Sequence, residues 1–192
     1  MIYVMSDIHG CDGRYRNILK QIKLKADDHL YILGDVIDRG PNGLGILRET
    51  MKKENITLLM GNHEHMMLEA LADPDDADAL WLWYRNGGKV THEHFKHCTH
   101  AYRAEVLEYI RNLPINIEVS VNGTDYVLVH GAPLCTFSES SRSRTAREHA
   151  VWTRLGRNTP MIEGKMVIFG HTPTHHYLPD FPMRIWHGRD KI

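Results

Sequence analysis

The sequence predicts an α/β fold that opens as strand, helix, strand, helix, strand. Two observations predict it. Five short apolar runs, at residues 2–5, 30–33, 56–60, 126–129 and 166–169, each stop at Gly, Asp, Asn, Ser or His. Runs of four or five apolar residues suit strands buried on both faces beneath helices. Helical periodicity fills the gaps between the first three.

After the first run, Tyr15, Ile18, Leu19 and Ile22 fall at i, i+3, i+4 and i+7, one face of a helix. After the second, Pro41 suits the first turn of a helix carrying Leu44, Leu47 and Met51, because a helix has no use for that N–H. The third run leads into a helix from His63 that carries Met66, Met67 and Ala70 and stops before Asp73-Pro74. Another covers 77–84 and ends at Asn86-Gly87-Gly88, and a further one covers 101–113 before Pro114. Residues 115–121 and 126–129 flank Asn122-Gly123-Thr124-Asp125, which reads as a hairpin because Asn-Gly favours positive φ. Residues 138–147 form the most polar connection and are expected to be a mobile loop. With no repeat and no linker, one domain over residues 1–192 is expected.

Lys and Arg number 23 and Asp and Glu 24, a formal charge of −1. No basic excess attracts nucleic acid or an anionic membrane, so phosphate recognition has to be local. The amino terminus enters a polar motif at once and no apolar run approaches a membrane span, which predicts a soluble, cytoplasmic chain. Cys11, Cys98 and Cys135 are odd in number and far apart, the pattern of reduced thiols.

The strand ends carry the chemistry. In open α/β sheets ligands bind beyond the carboxyl ends of strands. Here those ends bear Asp7 and His9, Asp35, Asn62 and His63, His130, and His171. A single strand-ending Asp is usually a turn residue or helix cap; the repetition points instead to metal ligands. Oxygen and imidazole donors without thiolate suit Mn²⁺, with Fe²⁺ and Zn²⁺ as alternatives. Asp7, His9, Asp35, Asn62, His130 and His171, six candidates, exceed what one ion with open positions needs, so two ions bridged by a carboxylate are expected.

Ser6-Asp7-Ile8-His9-Gly10, Gly34-Asp35-Val36-Ile37-Asp38-Arg39-Gly40, Gly61-Asn62-His63-Glu64, His130-Gly131 and Gly170-His171-Thr172 resemble the signature of the phosphoprotein phosphatase family of calcineurin-like metallophosphoesterases. The small bacterial and phage serine/threonine phosphatases are similar in size and motif wording. The resemblance implies a metallophosphoesterase-type βαβαβ core and two packed mixed sheets flanked by helices, a four-layer α/β/β/α arrangement. It implies that Asp7, His9 and Asp35 hold one ion and that Asp35, Asn62, His130 and His171 hold the other. His63 would be the general acid oriented by Asp38, and Arg39 and Arg154, with Asn62, would bind phosphoryl oxygens. A metal-bridging hydroxide would attack directly.

The implied activity is hydrolysis of a phosphorylated protein, at serine or threonine and also at tyrosine, or of a small phosphoester. The alternatives are a diadenosine-tetraphosphate-type nucleotide hydrolase, whose motif wording extends to Pro41, and a metal-binding regulator without catalysis. Arg142, Arg144, Arg147 and Arg157 rival Arg154. Glu64 suits a first helical turn through the macrodipole. Trp81 and Trp83 read as core and rim packing, and His92, His94, His97 and His100 as a solvated helical face. After Gly-His-Thr, Ile185-Trp186-His187-Gly188 stands where the family has Asp-Thr-Gly and two more strands. The chain is therefore expected to be short at its carboxyl end, with an exposed sheet edge that a second copy would cover.

Overall fold

The computed structural model describes residues 1–73, 75–138, 145–181 and 183–192. Most of the polar stretch expected to be a loop, residues 139–144, lies outside the described residues. Contacts divide the chain into two compact units, Met1–Leu113 and Pro114–Ile192.

The first unit is built on a parallel sheet in the order β1 (Ile2–Met5), β2 (His29–Ile32), β3 (Ile56–Leu58). The crossovers are α1 (Asp12–Ile22) and α2 (Gly43–Thr50), as the βαβαβ reading requires. Central strand β2 is the best buried, with Leu30 and Ile32 at 0% exposure, whereas edge position leaves Ile2 at 41%. The expectation of strands buried on both faces therefore fails for β1, which has no buried residue, and is met on one face only in β2 and β3, where half-buried positions alternate with buried ones. Helix α2 begins two residues later than expected, and Pro41 lies in the preceding turn. Of the α1 stripe only Tyr15 is fully buried, and Ile18 is exposed. Then follow α3 (Asn62–Ala72), α4 (Ala77–Arg85), α5 (Lys89–Lys96) and α6 (His100–Arg111).

The second unit holds β4 (Asn116–Val121), β5 (Thr124–Val129), α7 (Ala146–Trp152) and β6 (Lys165–Phe169). Strands β4 and β5 are antiparallel, closed by Val121 opposite Thr124, while β5 and β6 are parallel. Of the two sheets, this is the mixed one. Asn122 and Gly123 sit at φ 51° and 80°, as a two-residue hairpin turn demands. Helix α7 is too short to show periodicity. A reciprocal cap defines it: Glu148 N–H donates to Thr145 Oγ1 at 3.2 Å, and Thr145 N–H donates to the Glu148 carboxylate at 2.9 Å. Val127, Val129, Ala132, Ala150, Leu155 and Val167 form the core.

The outer edge of β6 is not exposed as expected. Val167 N–H donates to Asp190 O at 2.9 Å, Phe169 N–H to Ile192 O at 3.0 Å, and Ile192 N–H to Val167 O at 2.8 Å. The chain's own residues occupy that edge, which removes the reason given for pairing with a second copy there. Among the described residues no helix is long and apolar enough to cross a membrane.

Truncating Leu30 in the centre of β2 to alanine is expected to cost about 2–5 kcal/mol in chemical denaturation. A loss below about 1 kcal/mol would contradict its packing.

Candidate metal centre

Five predicted site residues of the first unit adopt left-handed backbone: Asp7 (φ 54°), His9 (45°), Asp35 (56°), Asp38 (69°) and Arg39 (64°). Such conformations are unfavourable for residues with a Cβ, so the surroundings must hold them. The loops after β1 and β2 do this for one another. His9 N–H donates to Asp35 O and Gly10 N–H to Val36 O, both at 2.8 Å, and Gly40 N–H returns to His9 O at 3.0 Å. A Cβ on Gly40 would lie 2.3 Å from His9 O, so only glycine permits this approach.

Glu64 fixes the second loop from within. Its carboxylate is fully buried and accepts from the N–H groups of Asp35 (2.8 Å), Val36 (2.9 Å), Ile37 (3.4 Å) and Gly61 (3.1 Å). Its role is larger than the first-turn electrostatics read from the sequence. Asp35 Oδ1 in turn accepts from His63 N–H at 3.1 Å, tying the loop to the start of α3, where Asn62 is also buried.

His9 Nδ1–H donates to Ile37 O at 3.1 Å, and Nε2 lies 3.6 Å from Asp35 Oδ2 and 4.0 Å from Asp7 Oδ1. A backbone carbonyl on one ring nitrogen is how a ligating histidine is commonly oriented. Burial, reinforced by the nearby His63 and Arg39, pushes the His9 pKa down to about 4, so the ring is neutral at neutral pH and Nε2 keeps a lone pair, which Arg39 meets here and an ion would take. Asp35 is held well above the ordinary carboxylate range by burial; His63 opposes this, and the Glu64 and Asp7 charges add to it. A cation beside Asp35 would reverse that balance. Asp7, His9 and Asp35 thus bring two carboxylates around one imidazole nitrogen, within 4.0 Å of it; His63 lies as near to His9 and Asp35, with both its ring nitrogens taken. The residues therefore fit a divalent ion by donor type, burial and spacing.

His63 is engaged on both ring nitrogens. Nδ1 donates to Asp38 Oδ2 at 2.6 Å, and Nε2 accepts from Arg39 Nη2 at 3.0 Å. Arg39 also donates through Nη1 to His9 Nε2 at 2.8 Å, so one guanidinium spans both imidazoles. Asp38 is set by more than His63: Trp83 Nε1–H donates to the same Oδ2 at 2.9 Å, and Asp38 N–H donates to Thr91 Oγ1 at 2.9 Å.

In the second unit, His130 follows β5 and His171, at φ 59°, lies beyond β6. Their ring centroids lie 5.0 Å apart, and Gly170 N–H donates to His130 O at 2.9 Å. Arg154 is exposed, with Nη1 3.5 Å from His176 Nε2. Its rival Arg157 is committed to Tyr177 O, and Arg142 and Arg144 lie outside the described residues.

The family model for calcineurin-like phosphoesterases matches residues 1–186. The chain belongs to the calcineurin-like phosphoesterase family. It is 30% identical over 182 residues to serine/threonine-protein phosphatase 1 of Salmonella typhimurium, covering 90% of this chain and 78% of the relative. It is also 30% identical over 138 residues to a symmetrical bis(5′-nucleosyl)-tetraphosphatase of an Acidovorax species, covering 69% of this chain and only 44% of that protein. A metallophosphoesterase from Sphaerobacter thermophilus shares the fold, with a TM-score of 0.58 at 19% identity over 89% of this chain and 59% of that one. Membership makes the chain a hydrolase of a family that uses divalent metals.

Glu64, Trp83 and Thr91 complete the site without a signal in the local sequence. Glu64 stood out only as the third residue of a helix, and Trp83 carried no signal beyond an apolar position. His92 is corrected: it is half-buried, stacks on Trp83 at 5.3 Å and pairs through Nδ1 with Tyr84 OH at 2.7 Å. His94, His97 and His100 are exposed as expected.

Glu64→Gln turns an amide donor towards backbone donors. It is expected to lower stability by about 1–3 kcal/mol and Mn²⁺ affinity about 10–100-fold, read by denaturation and metal titration; unchanged values would contradict the assigned role. In metal-free protein the folded pKa of His9, about 4, lies below the ordinary 6.5. The unfolded chain therefore takes up that proton first, and stability falls as pH drops from about 6.5 to about 4. Unfolding titrations should show this slope reduced in His9→Asn.

Proposed function

We propose that this chain is a metal-dependent phosphomonoesterase whose substrates are phosphoserine and phosphothreonine proteins, with Asp7, His9, Asp35, Asn62, His130 and His171 as ligands of two ions, Mn²⁺ first among them. The observation that carries the reading is the Asp38–His63 pair set beside Arg39, His9 and Asp35. When bound, the ions lower the pKa of a coordinated water and neutralise charge on the phosphoryl group.

The chain's own residues account for the rest. A serine or threonine alkoxide is a poor leaving group and needs a proton as the P–O bond breaks. With Nδ1 held by Asp38, His63 delivers it from Nε2 once that nitrogen is protonated and the Arg39 N–H it accepts from has turned to the phosphoryl oxygens. The Arg39 fork, which lies against two imidazoles, suits bidentate contact with phosphoryl oxygens, and Arg154 supplies a second guanidinium. Asn62 adds an amide to the same group.

The protein-phosphatase reading is supported by a match that spans most of the length of its relative. The tetraphosphatase reading is favoured by Pro41 after the Asp-Arg-Gly segment and by the 30% identity already noted. Incubating Mn²⁺-loaded protein with a phosphothreonine peptide and with diadenosine tetraphosphate separates them. The peptide is expected to be hydrolysed faster, and His63→Asn to slow it about 10²–10⁴-fold. Preference for the dinucleotide would reverse the ranking, and turnover of neither would leave the regulator reading.

A further inference from the structure

We infer that Trp83 is a positioning residue for leaving-group protonation, acting through Asp38. The inference rests on the phosphoesterase reading above. Trp83 is fully buried, yet its indole N–H is not solvated or idle: it donates at 2.9 Å to Asp38 Oδ2, the same oxygen that takes His63 Nδ1 at 2.6 Å. The other oxygen, Oδ1, is buried and has no hydrogen-bond partner. Both donors meet one oxygen, so swinging the carboxylate away from His63 also breaks the indole bond and leaves a buried N–H unpaired, and this contact favours the rotamer that faces His63.

The surroundings are shaped to hold that indole. His92 stacks on one face at 5.3 Å and is itself fixed by Tyr84 OH. A Cβ on Gly88 would come within 2.2 Å of the ring. The same turn reaches the phosphate-binding side. Arg39 N–H donates to Gly87 O at 3.1 Å, Gly87 sits at φ 100°, and a Cβ there would lie 2.8 Å from Arg39 Cγ. The Asn86-Gly87-Gly88 turn thus sets both Trp83 and Arg39, the supports of the proton donor and of the phosphoryl clamp.

The test uses leaving-group basicity. p-Nitrophenolate leaves with little help, whereas a threonine alkoxide needs the proton from His63. Trp83→Phe keeps the ring and removes the N–H. Turnover of a phosphothreonine peptide is expected to fall about tenfold more than that of p-nitrophenyl phosphate, a part of what a positioned acid supplies. The ratio of the two rates does not depend on how much protein is folded, so simple destabilisation leaves it unchanged. In an Asp38→Asn background the same substitution should not alter the ratio further. If the phenylalanine variant does not fold, benzothienylalanine at position 83, with sulfur in place of N–H, gives the same comparison. Active wild type with an unchanged ratio in the variant overturns the inference alone; wild type inactive on both substrates overturns the phosphoesterase reading with it.

Discussion

Keeping the Asp35 carboxylate buried at the end of the central strand is the constraint on which the geometry of the first unit depends. Burial raises the cost of its charge, and Glu64 and Asp7 raise it further. Such a group is tolerated where backbone donors and a cation offset the loss of water. Its oxygen receives His63 N–H, and its own N–H is fixed by Glu64. The left-handed backbone of Asp7, His9, Asp35, Asp38 and Arg39 is what turns these residues back over the strand ends.

Glu64 shows how one buried charge organises a loop. Four backbone N–H groups converge on it, each of which would otherwise be unpaired away from water. The loop cannot relax without stranding those donors, so Asp35 and Asp38 project from a rigid frame. The glycines at 40 and 61 follow from the same closeness: a Cβ on Gly61 would lie 2.2 Å from Asp35 Oδ1.

The strands and the ligand types were legible because both depend on local pattern. An apolar run stopped by Asp, Asn or His marks the strand and its chemistry at once, and β2 and Asp35 illustrate this. Burial by edge or centre was not legible, since it depends on strand order, and Ile2 was misjudged for that reason. Pro41 precedes α2 by two residues, because a proline fits a turn as well as a first helical position. Glu64, Trp83 and His92 escaped for a shared reason. Apart from Gly61, three residues from Glu64, the hydrogen-bond partners lie 8 to 45 residues away, and nothing in the local sequence shows which way a buried side chain points. Helix α7 escaped because seven residues carry too little periodicity.

Electron paramagnetic resonance of the Mn²⁺-titrated protein tests the central claim most directly. The account predicts two ions per chain with a spin-coupled spectrum, replaced by that of isolated ions when Asp35 is changed to asparagine. An uncoupled spectrum in the wild type, or a coupled one that survives the loss of the Asp35 charge, would contradict the bridging role assigned to this carboxylate.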